Sequence, residues 1–146
     1  MSHRHASLLF LATSLLAAAP AMADLPDTAT LYKNPQCGCC DEYARLLEQR
    51  GVDVTIVETR DIGSIKQRLG IPFGLGACHT IEMGGYAVEG HVPFAALDRL
   101  FEQHPDTAGI GLAGMPAGTP GMPGPRQQEW NVYEFRDGEA RPFMTL

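Results

Sequence analysis

Four cysteines are the residues of this sequence best suited to chemistry. Three of them lie within four residues, at Cys37, Cys39 and Cys40, and the fourth is Cys78. Clustered thiolates favour soft cations such as Cu(I) over hard ones. A helix that begins at these cysteines would help to keep the thiols deprotonated, because its first N–H groups are unpaired. The spacing therefore favours a copper(I) site built on the four thiols.

Two other uses of the cysteines are compatible with the same spacing. A C-x-x-C pair at Cys37 and Cys40 is typical of thiol–disulfide exchange, although Cys39 between them would compete as a nucleophile. Two structural disulfides would require one very small loop, because three of the four cysteines are so close in sequence. Zinc is less favoured, since structural zinc sites usually contain two separated pairs of ligands. The redox pair and the disulfides stay open as alternatives.

A histidine joins the cysteines through a predicted β-hairpin. The glycine pair at 84–85 favours a tight primed turn between two short strands. Extending the register of that hairpin outwards places Cys78 opposite His91 on one face and turns His79 towards the other. In a thioredoxin-like arrangement, the segment that enters this hairpin lies against the C-x-x-C loop. We therefore expect His91 to approach the cysteines as a further ligand.

A glycine- and proline-rich segment contains two further candidate ligands. Of the 21 residues from 105 to 125, 11 are Gly or Pro, which predicts a long loop with neither helix nor central strand. Met115 and Met122 lie within it, and thioethers are soft ligands for Cu(I). Methionines also commonly fill gaps over a hydrophobic core. Both uses of the two methionines stay open.

The elements that position these residues form an alternating pattern typical of an α/β domain. Apolar periodicity predicts strands near residues 29–33, 52–56, 79–83 and 86–89, and helices that begin near residues 41, 61 and 93. A strand–helix–strand start requires a right-handed crossover onto a parallel pair. The sequence therefore predicts a thioredoxin-like β-α-β-α-β-β-α core, followed by the Gly/Pro loop and a C-terminal strand or hairpin over residues 130–143.

The N-terminal residues resemble a secretory signal peptide. Arg4 precedes an apolar run over residues 8–19, and Ala21-Met22-Ala23 supplies an A-x-A cleavage pattern. We therefore expect residues 1–23 to be removed on export to the periplasm, leaving residues 24–146 as one domain. No later stretch approaches the ~20 apolar residues that a bilayer crossing requires.

The charge balance argues against nucleic acid as a partner. The whole chain has 11 basic and 17 acidic residues, a formal charge of −6, and loss of Arg4 with the signal peptide makes it −7. Nucleic-acid-binding domains usually carry a basic patch, because they neutralise phosphates.

Four spaced motifs resemble the CopG-like periplasmic copper-resistance family, long catalogued as a domain of unknown function. They lie at residues 37–40, 78–80, 89–93 and 114–122, and the resemblance covers nearly all of residues 24–146. It implies a thioredoxin-like fold, copper binding at the cysteines and a role in copper tolerance. The positions that match the family's cysteine cluster and methionine-bearing loop are Cys37, Cys39, Cys40, Cys78, Met115 and Met122.

Together these patterns predict a periplasmic protein that sequesters Cu(I) in a cysteine-rich site, with a multinuclear cluster as one option. His91, Met115 and Met122 are expected to complete the coordination. The expected partners are copper ions and other periplasmic copper-handling proteins. The alternative is an exported thiol–disulfide oxidoreductase that uses Cys37 and Cys40, and the sequence leaves open whether the protein is an enzyme.

Overall fold

A computed structural model describes residues 24–146, so the predicted signal peptide at residues 1–23 lies outside the described residues. The strands are β1 (Thr28–Lys33), β2 (Asp53–Glu58), β3 (His79–Met83), β4 (Tyr86–Glu89), β5 (Gly109–Gly111), β6 (Asn131–Arg136) and β7 (Glu139–Thr145). The helices are α1 (Gly38–Glu48), α2 (Ile62–Arg68) and α3 (Phe94–Gln103), and a short 3-10 turn spans Phe73–Leu75. Over residues 24–146, none of the helices has the length and apolar character needed to cross a bilayer.

The seven strands form one mixed sheet in the order β2-β1-β3-β4-β5-β6-β7. The first two strands pair in parallel across helix α1, as the predicted right-handed crossover requires. β3 then pairs antiparallel with β1 and with β4, and β4 pairs in parallel with β5. The antiparallel hairpin of β6 and β7 closes the far edge. The predicted α/β, thioredoxin-like core and the C-terminal hairpin are thus confirmed.

The turn between β3 and β4 has the predicted length and register. Met83 faces Tyr86 across the turn, and both intervening glycines have positive φ, 56° at Gly84 and 84° at Gly85. A Cβ atom on Gly84 would lie 2.6 Å from the Phe101 ring, so α3 also requires glycine there. The turn therefore fixes which residues face one another along the whole hairpin.

The sheet has two different faces. The main hydrophobic core lies on one face, where strand residues such as Leu31 and Ile81 pack with Tyr43 from α1 and Leu97 from α3. Side chains alternate along a strand, so Thr80 and its β4 neighbour Glu89 point to the opposite face. There Lys66 of α2 reaches Thr80 and Glu89. Helix α2 itself buries no residue completely.

The prediction that residues 105–125 contain no central strand is wrong. β5 lies inside this segment and is hydrogen-bonded on both sides, to β4 and to β6. Glycine is required at its start, because a Cβ on Gly109 would overlap the carbonyl oxygen of Ala87. Ile110 between the two glycines is completely buried and supplies the apolar contact. Here the glycines permit a close approach between strands instead of breaking the strand.

Candidate metal centre

The cysteine run forms the beginning of helix α1. The helix starts at Gly38, with Cys37 at the position just before it, which is earlier than the predicted start at Asp41. Cys39 and Cys40 therefore lie in the first turn, where backbone N–H groups lack the usual helical partner four residues earlier, and the N–H of Cys40 donates instead to the carbonyl oxygen of Cys37 at 3.2 Å. Cys40 is completely buried, whereas Cys37 and Cys39 are half-buried. The run thus presents sulfur atoms both to the core and to the rim of the site.

The structure brings all four cysteines together, as the sequence predicted. Cys37 and Cys40 form a disulfide, and Cys39 and Cys78 are free thiols. The Sγ atoms of Cys37 and Cys39 are 3.4 Å apart, and those of Cys40 and Cys78 are also 3.4 Å apart. All four sulfur atoms lie within 4.8 Å of one another. They are close enough to share one ion or a small group of ions.

His91 reaches this cluster through the predicted hairpin register. Its Nε2 atom lies 3.2 Å from the Sγ of Cys78. Its Nδ1 atom donates to the carbonyl oxygen of Pro120 at 2.7 Å. This hydrogen bond keeps the proton on Nδ1 and leaves the Nε2 lone pair directed at the sulfur. Such a partner on the far nitrogen is the usual way in which a protein orients a metal-binding histidine.

His79 was expected to face away from the site, and that expectation is wrong. Its Nδ1 atom lies 3.5 Å from the Sγ of Cys78, and its ring centroid is 4.7 Å from that of His91. The reason is that β3 begins at His79, so strict alternation does not extend back to Cys78. The sequence does contain a signal for this direction. His79 lies two residues before Ile81 and four before Met83, so the alternation along β3 turns all three side chains to the same, core-facing side of the sheet.

Burial keeps the thiol of Cys78 and the imidazoles of His79 and His91 neutral in the absence of metal. Desolvation raises the pKa of the Cys78 thiol to about 12, and the neighbouring Cys39 adds to the shift. Desolvation also lowers the pKa of His91, and it holds the pKa of His79 well below its usual value. The imidazoles are therefore uncharged and available as ligands at neutral pH. A bound cation would take the place of the thiol protons.

One buried polar atom at the site has no partner. Within residues 24–146, the Nε2 of His79 makes no hydrogen bond, although the residue is completely buried. Unpaired buried polar atoms are rare and cost stability, typically about 1–3 kcal/mol. The nitrogen of His79 that faces the Cys78 thiol is Nδ1, so Nδ1 is the atom that could bind a metal there.

The Gly/Pro loop crosses directly over the cysteines. A Cβ on Gly121 would lie 2.9 Å from the carbonyl oxygen of Cys39 and 3.2 Å from the Nδ1 of His91, and its φ is +81°. Only glycine permits this approach. Met122 follows at once and is half-buried, whereas Met115 lies further back with 51% of its surface exposed. The loop is thus brought to the site near Met122, and both methionines stay predicted ligands.

Tyr43 ties helix α1 to the segment that carries His91. Its hydroxyl donates to the carbonyl oxygen of Val92 at 2.7 Å, and its ring lies edge-on to that of His91 with centroids 5.6 Å apart. Tyr43 is completely buried, so this hydrogen bond is shielded from water. The cysteine-bearing helix and the histidine-bearing strand end are therefore held at a fixed separation.

The donor set has a clear chemical preference. It consists of four sulfur atoms and two imidazoles, arranged as two groups that share Cys78. Thiolate and imidazole ligands suit soft or borderline ions, and neither group includes a carboxylate that would favour Ca²⁺ or Mg²⁺. Once the disulfide between Cys37 and Cys40 is reduced, the set offers the ligands that a soft metal ion prefers.

A family model matches the part of the chain that contains most of the site. Residues 75–122, which include Cys78, His91 and Met122, match DUF411, a family described as a protein of unknown function. No protein with a curated description matches the chain.

Two solved structures, of forms 1 and 2 of the copper resistance protein CopG, are similar to the chain throughout. Each is 36% identical to it with a TM-score of 0.75, and each alignment covers 83% of this chain and 98% of the solved chain. An identity and a coverage of this size extend well beyond a shared fold. The chain therefore belongs to the CopG-like copper-resistance family.

Proposed function

We propose that the protein sequesters Cu(I) in the periplasm and thereby contributes to copper resistance. The observation that carries the proposal is the approach of four sulfur atoms to within 4.8 Å of one another, with two buried imidazoles beside them. Cu(I) prefers thiolate, thioether and imidazole ligands, and this set contains little else. The two CopG structures, whose name links that protein to copper resistance, support the same conclusion.

Copper uptake by all four sulfurs requires that the disulfide between Cys37 and Cys40 be open. Two electrons and two protons from a dithiol reductant convert it to two thiols. Each thiol that then binds Cu(I) releases its proton, so uptake is coupled to proton release. The capacity of the site therefore depends on the redox state of this pair.

A cluster with bridging sulfurs fits the donor arrangement better than one isolated ion. Cys78 belongs both to the group of four cysteines and to the group formed with His79 and His91. A shared thiolate can bridge two metal ions. Replacement of Cys39 by Ser should then lower the number of copper ions bound, and an unchanged stoichiometry with an unchanged affinity would contradict a shared cluster.

The proposed location follows from the signal-peptide pattern in residues 1–23. A periplasmic protein meets copper before the ion reaches the cytoplasm, so sequestration there would protect the cell. Transfer of the ion would involve other periplasmic copper-handling proteins.

The test is an anaerobic titration of the purified protein with Cu(I), read by elemental analysis together with a count of free thiols. The fully reduced protein should bind copper tightly and lose all four reactive thiols. A parallel sample with Cys37 and Cys40 oxidised should bind fewer ions. Negligible uptake by the reduced protein, with ready disulfide formation, would contradict the proposal.

The disulfide itself favours a second candidate, a thiol–disulfide oxidoreductase. Cys37 at the N-terminus of α1 would attack a substrate disulfide, and Cys40 would resolve the mixed disulfide. This candidate predicts that the metal-free protein turns over with a dithiol reductant, and that Cys40→Ser traps a mixed disulfide. If neither is seen, the second candidate fails.

A further inference from the structure

A buried polar network lies on the far side of the hairpin from the metal-binding histidines. Glu89 is completely buried, and its carboxylate contacts the ammonium group of Lys66, whose side chain is 17% exposed. The Nζ of Lys66 also donates to the Oγ1 of Thr80 at 3.0 Å. Burial raises the pKa of Glu89, while Lys66 and the other donors oppose the shift. A carboxylate in such a place is tolerated only when hydrogen bonds and an opposite charge compensate it.

The hydrogen bonds of Glu89 reach both sides of the pair Cys78-His79. Its Oε1 accepts from the backbone N–H of Ala77 at 2.6 Å, one residue before Cys78. Its Oε2 accepts from the hydroxyl of Thr80 at 2.6 Å, one residue after His79. One rigid side chain therefore holds both ends of the segment that supplies a thiol and an imidazole to the site.

The neighbouring backbone limits the same segment from a second direction. Gly90 lies between Glu89 and His91, and a Cβ there would lie 2.6 Å from the Cβ of Ala77. The N–H of Gly90 donates to the carbonyl oxygen of His79 at 3.0 Å. Glu89 and Gly90 thus join the chain before Cys78 to the chain before His91.

From this geometry we infer that Glu89 is a positioning residue for the copper site. It holds Ala77 and Thr80 in place, and thereby keeps Cys78 within reach of His91. Glu89 does not contact the ion. This role rests on the proposed function, because positioning matters only if Cys78 and His91 bind metal.

A second ion pair on the same face provides a matched control. Arg68 of α2 pairs with Glu82 of β3, and the Nη2–Oε1 distance is 2.7 Å. The pair joins the same helix to the same sheet, but its side chains are 51% and 36% exposed. It also lies four residues beyond Cys78 and has no hydrogen bond to Ala77 or Thr80. Its removal changes the packing of α2 without releasing the ligand segment.

The experiment compares three variants with the wild-type protein. Lys66→Leu with Glu89→Leu replaces the buried pair by apolar side chains that add no thioether, which usually preserves folding. Arg68→Leu with Glu82→Leu is the control. Glu89→Gln is the conservative rescue, because its amide oxygen can still accept from Ala77 while the Thr80 hydroxyl turns to accept from its NH₂ group.

Two measurements are made on each variant: Cu(I) affinity by competition with a chromophoric chelator, and exchange of the Ala77 amide in the metal-free protein by NMR. The Lys66/Glu89 double variant should bind Cu(I) roughly 10–100-fold more weakly, the range typical for loss of a partner that orients a ligand. Its Ala77 amide should exchange faster. Glu89→Gln should stay within about 3-fold of the wild type, since it keeps the acceptor, and the control should match the wild type in both measurements.

Two results would overturn the inference: wild-type affinity in the Lys66/Glu89 double variant, or an equal loss in the Arg68/Glu82 control. If the wild-type protein itself binds no Cu(I), the proposed function fails, and positioning for copper fails with it. Ala77 exchange then still shows whether Glu89 holds the segment, so the two failures can be told apart.

Discussion

The two faces of the β3–β4 hairpin bury polar groups of opposite character. On the α2 face, the buried oxygens of Thr80 and Glu89 all have hydrogen-bond partners. On the α1 face, the Nε2 of His79 has no partner within residues 24–146, and the free thiol of Cys78 makes its side-chain polar contacts to sulfur and imidazole atoms. The same pair of short strands therefore carries one complete polar network and one incomplete one.

This difference separates a structural role from a binding role. A buried network in which every group is paired makes a part of the fold rigid. An unpaired buried group lowers stability, and such local conflicts are expected at functional sites. The complete network lies directly behind the incomplete one, so it can hold the ligands in place.

The largest expected effect is the loss of stability when one partner is removed from the complete face. Lys66→Met leaves the Glu89 carboxylate buried without its counter-charge, which should cost about 3–5 kcal/mol of unfolding free energy. Arg68→Met, which breaks the exposed pair with Glu82, should cost less than about 1 kcal/mol. Urea denaturation of the metal-free proteins measures both. If Lys66→Met and Arg68→Met both lost little unfolding free energy, the buried pair of Lys66 and Glu89 would be no more important for stability than the exposed pair of Arg68 and Glu82.

Replacement of Cys78 should affect binding far more than stability. The thiol joins the sulfur group to the imidazole group, so Cys78→Ser should weaken Cu(I) binding by about 100-fold or more, equivalent to about 2.7 kcal/mol. The unfolding free energy of the metal-free protein should fall by about 1 kcal/mol at most, because serine is similar in shape and its hydroxyl can keep the hydrogen bond to the Nε2 of His91. Chelator competition and urea denaturation measure the two quantities. Wild-type affinity in Cys78→Ser would remove this residue from the site.

His79 and His91 should respond differently to the same substitution. His79→Leu removes an unpaired nitrogen, so the metal-free protein should keep its stability or gain some, while Cu(I) binding weakens by about 10-fold. His91→Leu also weakens binding, but it leaves the Pro120 carbonyl oxygen without its donor and should cost about 1 kcal/mol of unfolding free energy. Thermal and urea unfolding distinguish the two variants. A clear loss of stability in His79→Leu would mean that this histidine is structural.

The smallest expected effect concerns the methionines. If Met115 and Met122 bind the ion, amide exchange over residues 109–124 should slow on addition of Cu(I). Replacement of either methionine by Leu should weaken Cu(I) binding by about 3-fold. Hydrogen exchange measured with and without copper provides the test. Equal exchange in both conditions would remove the two methionines from the site and leave the loop only as a cover.

The sequence predicts those parts of the site that depend on residues close to one another along the chain. The pair Gly84-Gly85 determines the hairpin register, and that register brings Cys78 to His91. Strand β5 was missed because the need for glycine at Gly109 arises from Ala87, which is distant in sequence. The side-chain direction of His79 was missed because the alternation was extended beyond the start of β3 to Cys78, which lies outside the strand.

The network around Glu89 could not be predicted for a similar reason. Lys66 belongs to a short polar helix, and nothing in its sequence context indicates a buried partner. The contact exists because α2 packs on the sheet above Thr80 and Glu89. Ion pairs between separate elements depend on tertiary packing, which periodicity does not report.

X-ray absorption at the copper edge of the reduced protein, loaded anaerobically with Cu(I), shows which atoms hold the metal. We expect an edge typical of Cu(I), scattering dominated by sulfur with a smaller imidazole contribution, and a copper–copper component if the thiolates bridge. A first shell of oxygen and nitrogen only would contradict the claim that the four cysteines hold the metal.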